Sequence, residues 1–101
     1  MAIRNSKKER YKVKGSVEFV RLSILKALKS GGFTNVKEIG IVNQITASYK
    51  TMTVWGSISL IMFEEGEFVI IDAEATANID NIYALFSSPT KKILAKFKQG
   101  L

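Results

Sequence analysis

The residues best placed to do chemistry are two carboxylates, Asp72 and Glu74, which stand two positions apart in an alternating apolar and polar run. In an extended strand this spacing puts both side chains on one face. Paired carboxylates bind hard cations or act as general acid and base. Two acids are too few for a metal site without further oxygen ligands, and a solvated sheet face accounts for them more simply. We therefore predict no catalytic residue and no metal ligand here.

The composition removes most other chemistry. The 101-residue chain has no cysteine, which excludes disulfides, thiolate catalysis and cysteine-based metal sites. It has no histidine, which removes the commonest general base and the commonest metal ligand. No phosphate-binding glycine loop is present, because the Gly31-Gly32 pair follows a helical pattern instead of opening one. The expectation is a non-enzymatic protein without a cofactor.

The elements that must position these side chains begin with a helix. Ser16 is a good N-cap, and the run from Val17 to Ser30 is helical in pattern until Gly31 and Gly32 stop it. Its apolar stripe repeats every three or four residues. The stripe contains Val17, Val20, Ile24, Ala27 and Leu28. Phe19 and Leu22 lie roughly opposite, to be covered by the C-terminal segment or to form a contact surface.

Three later runs change to a period of two, which predicts strands with one apolar face. Tight turns at 50–51 and 65–66 would place Gly56 opposite Ile45 and Ala75, and both turns agree on which face is inward. The predicted inner positions are Ile39, Ile41, Ile45, Ala47 and Tyr49, then Met52, Val54, Gly56, Ile58, Leu60 and Met62, and then Val69, Ile71, Ala73, Ala75 and Ala77.

The fold class predicted from these elements is α+β. An antiparallel sheet of four to five strands packs on one long helix, and Pro89 opens a C-terminal helix. The order is β-α-β-β-β-(β)-α. Residues 1–9 are predicted to be a basic flexible arm, and residues 10–101 a single domain. The segment 79–86 is either a short helical turn or a packed loop.

The outer sheet face holds Trp55, Thr46, Thr76 and an apolar cluster near the 65–66 turn. Polar side chains are normal on a solvated face, but large apolar ones are not. Either the N-terminal segment, the C-terminal helix or residues 79–86 cover them, or they form a partner surface. The candidate partner-binding residues are Trp55, Ile61, Phe63, Phe68 and Ile70.

The net charge of +6 is concentrated at the two ends of the chain. Residues 1–14 hold six bases and one acid, and a second group of lysines lies at 91–98. Basic arms contact nucleic acid or acidic surfaces. Because the predicted outer face is acidic, such contact is expected from the chain ends and not from the sheet. The candidate residues are Arg4, Lys7, Lys8, Arg10, Lys91 and Lys92.

A third alternative rests on small inner-face residues, which would leave room for a small apolar ligand or lipid between helix and sheet. The same residues would also allow a helix to pack closely. They are Ala47, Gly56, Ala73, Ala75 and Ala77.

The stretch NQITASYKTMTVWGSISLIMF resembles small uncharacterised bacterial domains in which a helix precedes an ITAS strand and a strand containing WG. The resemblance covers residues 12–76 and brings no catalytic signature. The element order is also similar to helix-grip and TATA-binding-protein-like architectures, in which a curved antiparallel sheet wraps a helix. Such folds host several functions, so the resemblance implies a fold and not an activity.

The leading functional hypothesis is a non-enzymatic module that acts through protein contacts, as a homodimer formed through the outer sheet face. Nucleic-acid or acidic-surface binding is the first alternative, and apolar-ligand binding the second. No apolar run approaches the roughly 18 residues of a membrane span, and the N-terminus lacks a signal-peptide core, so a cytoplasmic location is expected.

Overall fold

The computed structural model describes residues 3–51, 55–79 and 89–101. These described residues form an α+β structure with five strands and two helices. In chain order the elements are β1 (Ile3–Lys14), α1 (Val17–Ser30), β2 (Thr34–Ile39), a 3-10 turn (Gly40–Val42), β3 (Gln44–Lys50), β4 (Trp55–Glu65), β5 (Phe68–Ile79) and α2 (Pro89–Gly100). The described part of the chain has no helix that is long and apolar enough to cross a membrane.

The first helix forms as its sequence predicts. The Ser16 Oγ accepts a hydrogen bond from the N–H of Phe19 at 3.1 Å, a cap that contributes about 0.5–2 kcal/mol. At the other end the Gly31 N–H donates to the Ala27 carbonyl, and Gly32 takes the left-handed conformation that glycine tolerates. The buried stripe of the helix is Val20, Ile24, Ala27 and Leu28.

The sheet has the order β1-β5-β4-β3-β2, with antiparallel neighbours throughout. This order joins the first and last of the described strands, so β1 pairs with β5 along its whole length, from Ile3 opposite Ile79 to Lys14 opposite Phe68. The predicted flexible arm over residues 1–9 is therefore wrong for residues 3–9. The many bases of this segment suggested a flexible arm, but lysine also occurs in edge strands, where its side chain reaches water.

The alternation of the three central strands was predicted in the correct phase. The described inner positions of β3, β4 and β5 are buried, apart from the half-buried Gly56, the exposed Glu64 and Ile79, whose side chain is not described, whereas the outer positions are mostly half-buried or exposed. The predicted inner residues Met52 and Val54 lie outside the described residues. A phase error would have exchanged the two faces, so this result places every described outer-face candidate on the predicted side.

The exact registers differ from the predicted ones by an even number of residues. Ile45 lies opposite Leu60 and not Gly56, because four residues, 51–54, separate β3 from β4. Gly56 lies opposite Ala77 and not Ala75, because the second turn is formed by residues 66–67. An even shift keeps each side chain on its face, which is why the faces were right although the partners were not.

Two residues that were predicted to face inward, Ile39 and Ile41, do not. Ile39 pairs with Gln44 and so belongs to the outer face, and Ile41 lies in the 3-10 turn with 98% of its surface exposed. Asn43 has the left-handed conformation, with φ of 49°, and ends the extended run at this point. Asparagine adopts this conformation more readily than most residues. The single alternating run predicted over 39–49 is therefore two strands joined by a sharp turn.

Both helices lie on the inner face. The C-terminal helix α2 packs on β1, β4 and β5, while α1 lies beside it toward β2. Ile93 of α2 lies so close to Gly56 that a side chain there would come within 3.1 Å of the Ile93 Cδ1 and would collide with the Thr76 carbonyl. The small-residue patch therefore accommodates α2, where the sequence had suggested the long helix α1.

Candidate functional site: an apolar end and two basic surfaces

Exposed apolar side chains gather at the end of the sheet that contains the 3-10 turn. Ile39 pairs with Gln44, which in turn pairs with Ile61. The Met62 N–H donates to the Asn43 carbonyl at 3.0 Å, which extends the β3–β4 ladder to the edge of the turn. Val42 precedes Asn43 along the chain, and Phe63 follows Met62. We call Ile39, Ile41, Val42, Ile61 and Phe63 the apolar end.

These side chains are accessible in the described structure. The exposed fractions are 44% for Ile39, 98% for Ile41, 51% for Val42 and 49% for Phe63. Large exposed apolar patches on a folded protein mark interaction sites. Ile39, Ile41 and Val42 were missed as surface residues in the sequence, because the alternating pattern assigned the two isoleucines to the core. The signal available in the sequence was Asn43, because asparagine adopts the left-handed conformation of a turn more readily than most residues.

The five predicted partner-binding residues do not form one group. Phe63 pairs with Ile70, and Phe68 begins the neighbouring strand opposite Glu65. Ile70 is only 8% exposed although it lies on the outer face, since its neighbours cover it. Trp55 lies on the outer face as predicted, 37% exposed, opposite Lys50 and Asn78. Trp55 and Phe63 are eight positions apart in β4, which is about 27 Å along a strand.

The outer face also carries the bases of β1, contrary to the expectation that bases lie elsewhere. Lys8, Arg10, Lys12 and Lys14 alternate with inward residues and face the outer positions of β5. They were missed because this stretch contains too few apolar residues for a strand to be predicted over its full length. The Lys12 Nζ lies 4.5 Å from the Phe68 ring centroid, a cation–π contact that covers one predicted partner-binding residue.

Asp72 and Glu74 share one face, as their spacing predicted, but each has a basic neighbour. The Arg10 guanidinium donates to both Asp72 oxygens, at 2.6 and 3.2 Å, and this pairing raises the pKa of Arg10. The Lys8 Nζ lies 3.9 Å from a Glu74 oxygen. These four residues help to line a surface cavity of about 400 Å³. Among the described residues, no three acids stand together as a metal site.

The candidate nucleic-acid residues are divided between two surfaces. Lys8 and Arg10 lie on the outer face, whereas Lys7 lies opposite the inward Ala75 at the sheet edge. Lys91 and Lys92 are exposed on α2, on the helix side of the sheet. Arg4 lies in β1 opposite Asn78, and its side chain lies outside the described residues. No single surface collects the set.

Two further polar contacts hold the elements beside these surfaces. The Arg21 guanidinium donates to Glu18 and Glu38, each at 2.6 Å, and so ties α1 to the edge strand β2. The hydrogen bond from Arg21 lowers the pKa of Glu18. On β1 the Tyr11 hydroxyl donates to the Glu9 carboxylate at 2.6 Å. Burial, together with this hydrogen bond, raises the pKa of Tyr11.

No family model matches the chain, and no curated protein matches it. The resemblance to small bacterial domains thus stays a prediction.

Proposed function

We propose that this protein is a non-enzymatic interaction module that forms a homodimer through its apolar end. The proposal rests mainly on one observation, the exposure of Ile39, Ile41, Val42 and Phe63 at the same end of the sheet. Fully burying an isoleucine contributes about 1.5–3 kcal/mol. Ile41 alone, exposed almost completely, therefore supplies a substantial part of the binding free energy when a partner covers it.

The sheet edge next to the apolar end supports a second copy as the partner. All six residues of β2 are exposed, and among the described strands β2 has β3 as its one neighbour, so its other edge can pair with another chain. The opposite edge, β1, carries a row of bases that would repel the β1 of a second copy. Two-fold dimers are the commonest assemblies of identical chains, and they bring the same patch together twice.

Sedimentation velocity over a range of protein concentrations tests the proposal. The wild-type chain is expected to sediment increasingly as a dimer as its concentration rises. Ile41→Asp and Phe63→Asp should each shift the protein to the monomer, because they place an unpaired carboxylate in an apolar interface. Both positions are exposed in the monomer, so the variants should fold.

Phe19→Asp is the matched control, since Phe19 is an equally exposed phenylalanine on α1, at 57% against 49% for Phe63. It should leave the dimer unchanged. A protein that remains monomeric at the highest concentration would contradict the proposal, as would a dimer unaffected by both aspartate variants.

Nucleic-acid binding by the terminal bases has weaker support. Its candidate residues lie on two surfaces, and Arg10 and Lys8 are already paired with Asp72 and Glu74. Ion pairs must be broken before such bases bind phosphate, which reduces the net gain. Binding of an apolar ligand between helix and sheet also has less support, because Ile93 occupies the position over Gly56.

A further inference from the structure

The solvent-facing side of α1 has an unusual composition for an exposed helix surface. Residues 19, 22, 26 and 29 are spaced three, four and three apart, so they form one line along the helix. The line contains Phe19, Leu22, Lys26 and Lys29. Phe19 is 57% exposed and Leu22 54% exposed. The described helix α2, which the sequence had offered as a cover for them, does not bury them.

Bases without an ion-pair partner among the described residues lie on α1 and α2, in the same helix layer as these two apolar side chains. The only acid in α1, Glu18, is held by Arg21. The twelve residues of α2 contain four lysines and no acid. Lys96 lines a small cavity with Ser30 and Gly31, which places it beside the end of α1, and Lys92 precedes it by one turn. Lys26, Lys29, Lys92 and Lys96 are all exposed, and none has an ion-pair partner among the described residues.

From this arrangement we infer that the helix layer docks on an anionic lipid bilayer surface, with Phe19 and Leu22 entering the interfacial region and the four lysines contacting acidic headgroups. A basic surface that also exposes a few large apolar side chains matches both parts of such a membrane. Each lysine near an anionic surface strengthens binding by about fivefold. The docking surface lies on the opposite side of the sheet from the outer-face residue Phe63.

The same bases would also attract nucleic acid, but the apolar residues favour lipid. Leucine has no ring on which a base can stack, and single-strand binders place aromatic side chains along a basic groove. Here the exposed aromatic, Phe19, stands next to an aliphatic side chain on a convex helix. The charge of the surface sets its preference for acidic headgroups, and the two apolar side chains distinguish lipid from other polyanions.

Co-sedimentation with vesicles tests the inference on the full chain. The protein should pellet with vesicles of phosphatidylcholine and phosphatidylserine, and little with phosphatidylcholine alone. Added salt should weaken the binding. Phe19→Ser and Leu22→Ser should each reduce the bound fraction at limiting lipid, and Lys26→Gln and Lys96→Gln should each weaken binding by about fivefold.

Trp55→Ser is the control for Phe19→Ser, because Trp55 is an exposed aromatic residue on the outer sheet face and outside the apolar end. Lys14→Gln is the control for the two lysine variants, and both controls should bind as the wild type does. Circular dichroism and thermal melting verify that each variant is folded. The inference is overturned if the wild type does not bind the phosphatidylserine vesicles at low salt. Vesicle binding that is unchanged by Phe19→Ser and Leu22→Ser also overturns it. So does a single-stranded oligonucleotide whose binding depends on the lysines to the same extent and does not depend on Phe19 or Leu22. The sedimentation test of the dimer is separate, so either proposal can fail without the other.

Discussion

Tyr11 shows how a single side chain combines burial with a polar contact. Its ring lies 5.9 Å from that of Phe97 in α2, while its hydroxyl donates to Glu9. The ring thereby joins the core, and the hydroxyl remains satisfied near the sheet edge, as is usual for buried tyrosines. Deprotonation would place a phenolate in this partly apolar site next to a carboxylate.

We expect the protein to lose stability at alkaline pH through this residue. The pKa of Tyr11 is raised in the folded state, so the folded chain holds the proton more tightly than the unfolded chain. The resulting stabilisation is complete below the unfolded pKa of about 10 and is lost as the pH rises through the higher folded value. Tyr11→Phe should remove this pH dependence, which denaturant unfolding at a series of alkaline pH values would reveal.

Tyr49→Phe is the control, because it changes a second tyrosine that packs against Phe33 with ring centroids 5.0 Å apart. If the wild type and Tyr11→Phe lost stability in parallel above a pH of about 10, the assigned role of Tyr11 would be incorrect.

At the scale of elements, β1 differs most from its sequence-based prediction. The predicted element order began with a strand, but residues 1–9 were predicted to be a flexible arm because they are polar and basic. In the structure it spans Ile3–Lys14 and closes the sheet against β5. Its inward residues Glu9, Tyr11 and Val13 are half-buried, whereas Lys8, Arg10, Lys12 and Lys14 face outward and are exposed. An edge strand needs only a partner with a free edge, and hydropathy does not reveal that partner.

Deleting residues 1–9 should therefore destabilise the fold. The deletion removes the hydrogen-bonded pairing of residues 3–9 with 73–79, and each lost bond contributes about 0.5–1.5 kcal/mol. We expect the free energy of unfolding, measured with denaturant, to fall by at least about 3 kcal/mol. A flexible arm would leave it unchanged.

The full-length Lys7→Gln, Lys8→Gln variant separates charge from pairing. Exposed charges contribute little to stability, so this variant should stay within about 0.5 kcal/mol of the wild type. Equal stability of the deletion variant and the wild type would show that β1 does not pair as described.

At the scale of the whole molecule, the two faces of the layered structure differ in what they expose. The sheet side exposes the apolar end, and the helix side exposes Phe19 and Leu22 together with lysines that have no ion-pair partner in the described parts of the chain. The two proposed contacts therefore use opposite sides of the protein. A dimer formed at the apolar end need not cover the helix layer, so dimer formation and vesicle binding can be measured separately.

If the proposed dimer forms, the thermal unfolding midpoint should depend on protein concentration. A partner that binds only the folded chain stabilises it by mass action, and the stabilisation grows with concentration. The midpoint of the wild type should rise as the protein is concentrated, whereas that of Ile41→Asp should stay constant. Scanning calorimetry at several concentrations measures both. A concentration-independent wild-type midpoint would argue against a homodimer.

Local signals in the sequence were sufficient for several features. The N-cap at Ser16, the glycine stop at 31–32 and the period of three to four determined α1, because capping and amphipathicity depend on nearby residues. The period of two determined which residues of the central strands face inward, and hence that Trp55 and Phe63 face outward. The lack of cysteine and histidine limits the available chemistry through composition alone, whatever the fold.

Other features depended on contacts between distant parts of the chain. The pairing of β1 with β5 joins residues more than 50 positions apart, and it brings Lys8 and Arg10 onto the same face as Asp72 and Glu74. The placement of α2 over Gly56 and the turn that exposes Ile41 likewise result from tertiary packing and one left-handed residue. Local periodicity reports which side of a strand is apolar, but only the assembled sheet decides which strands are neighbours and which apolar side chains remain in water.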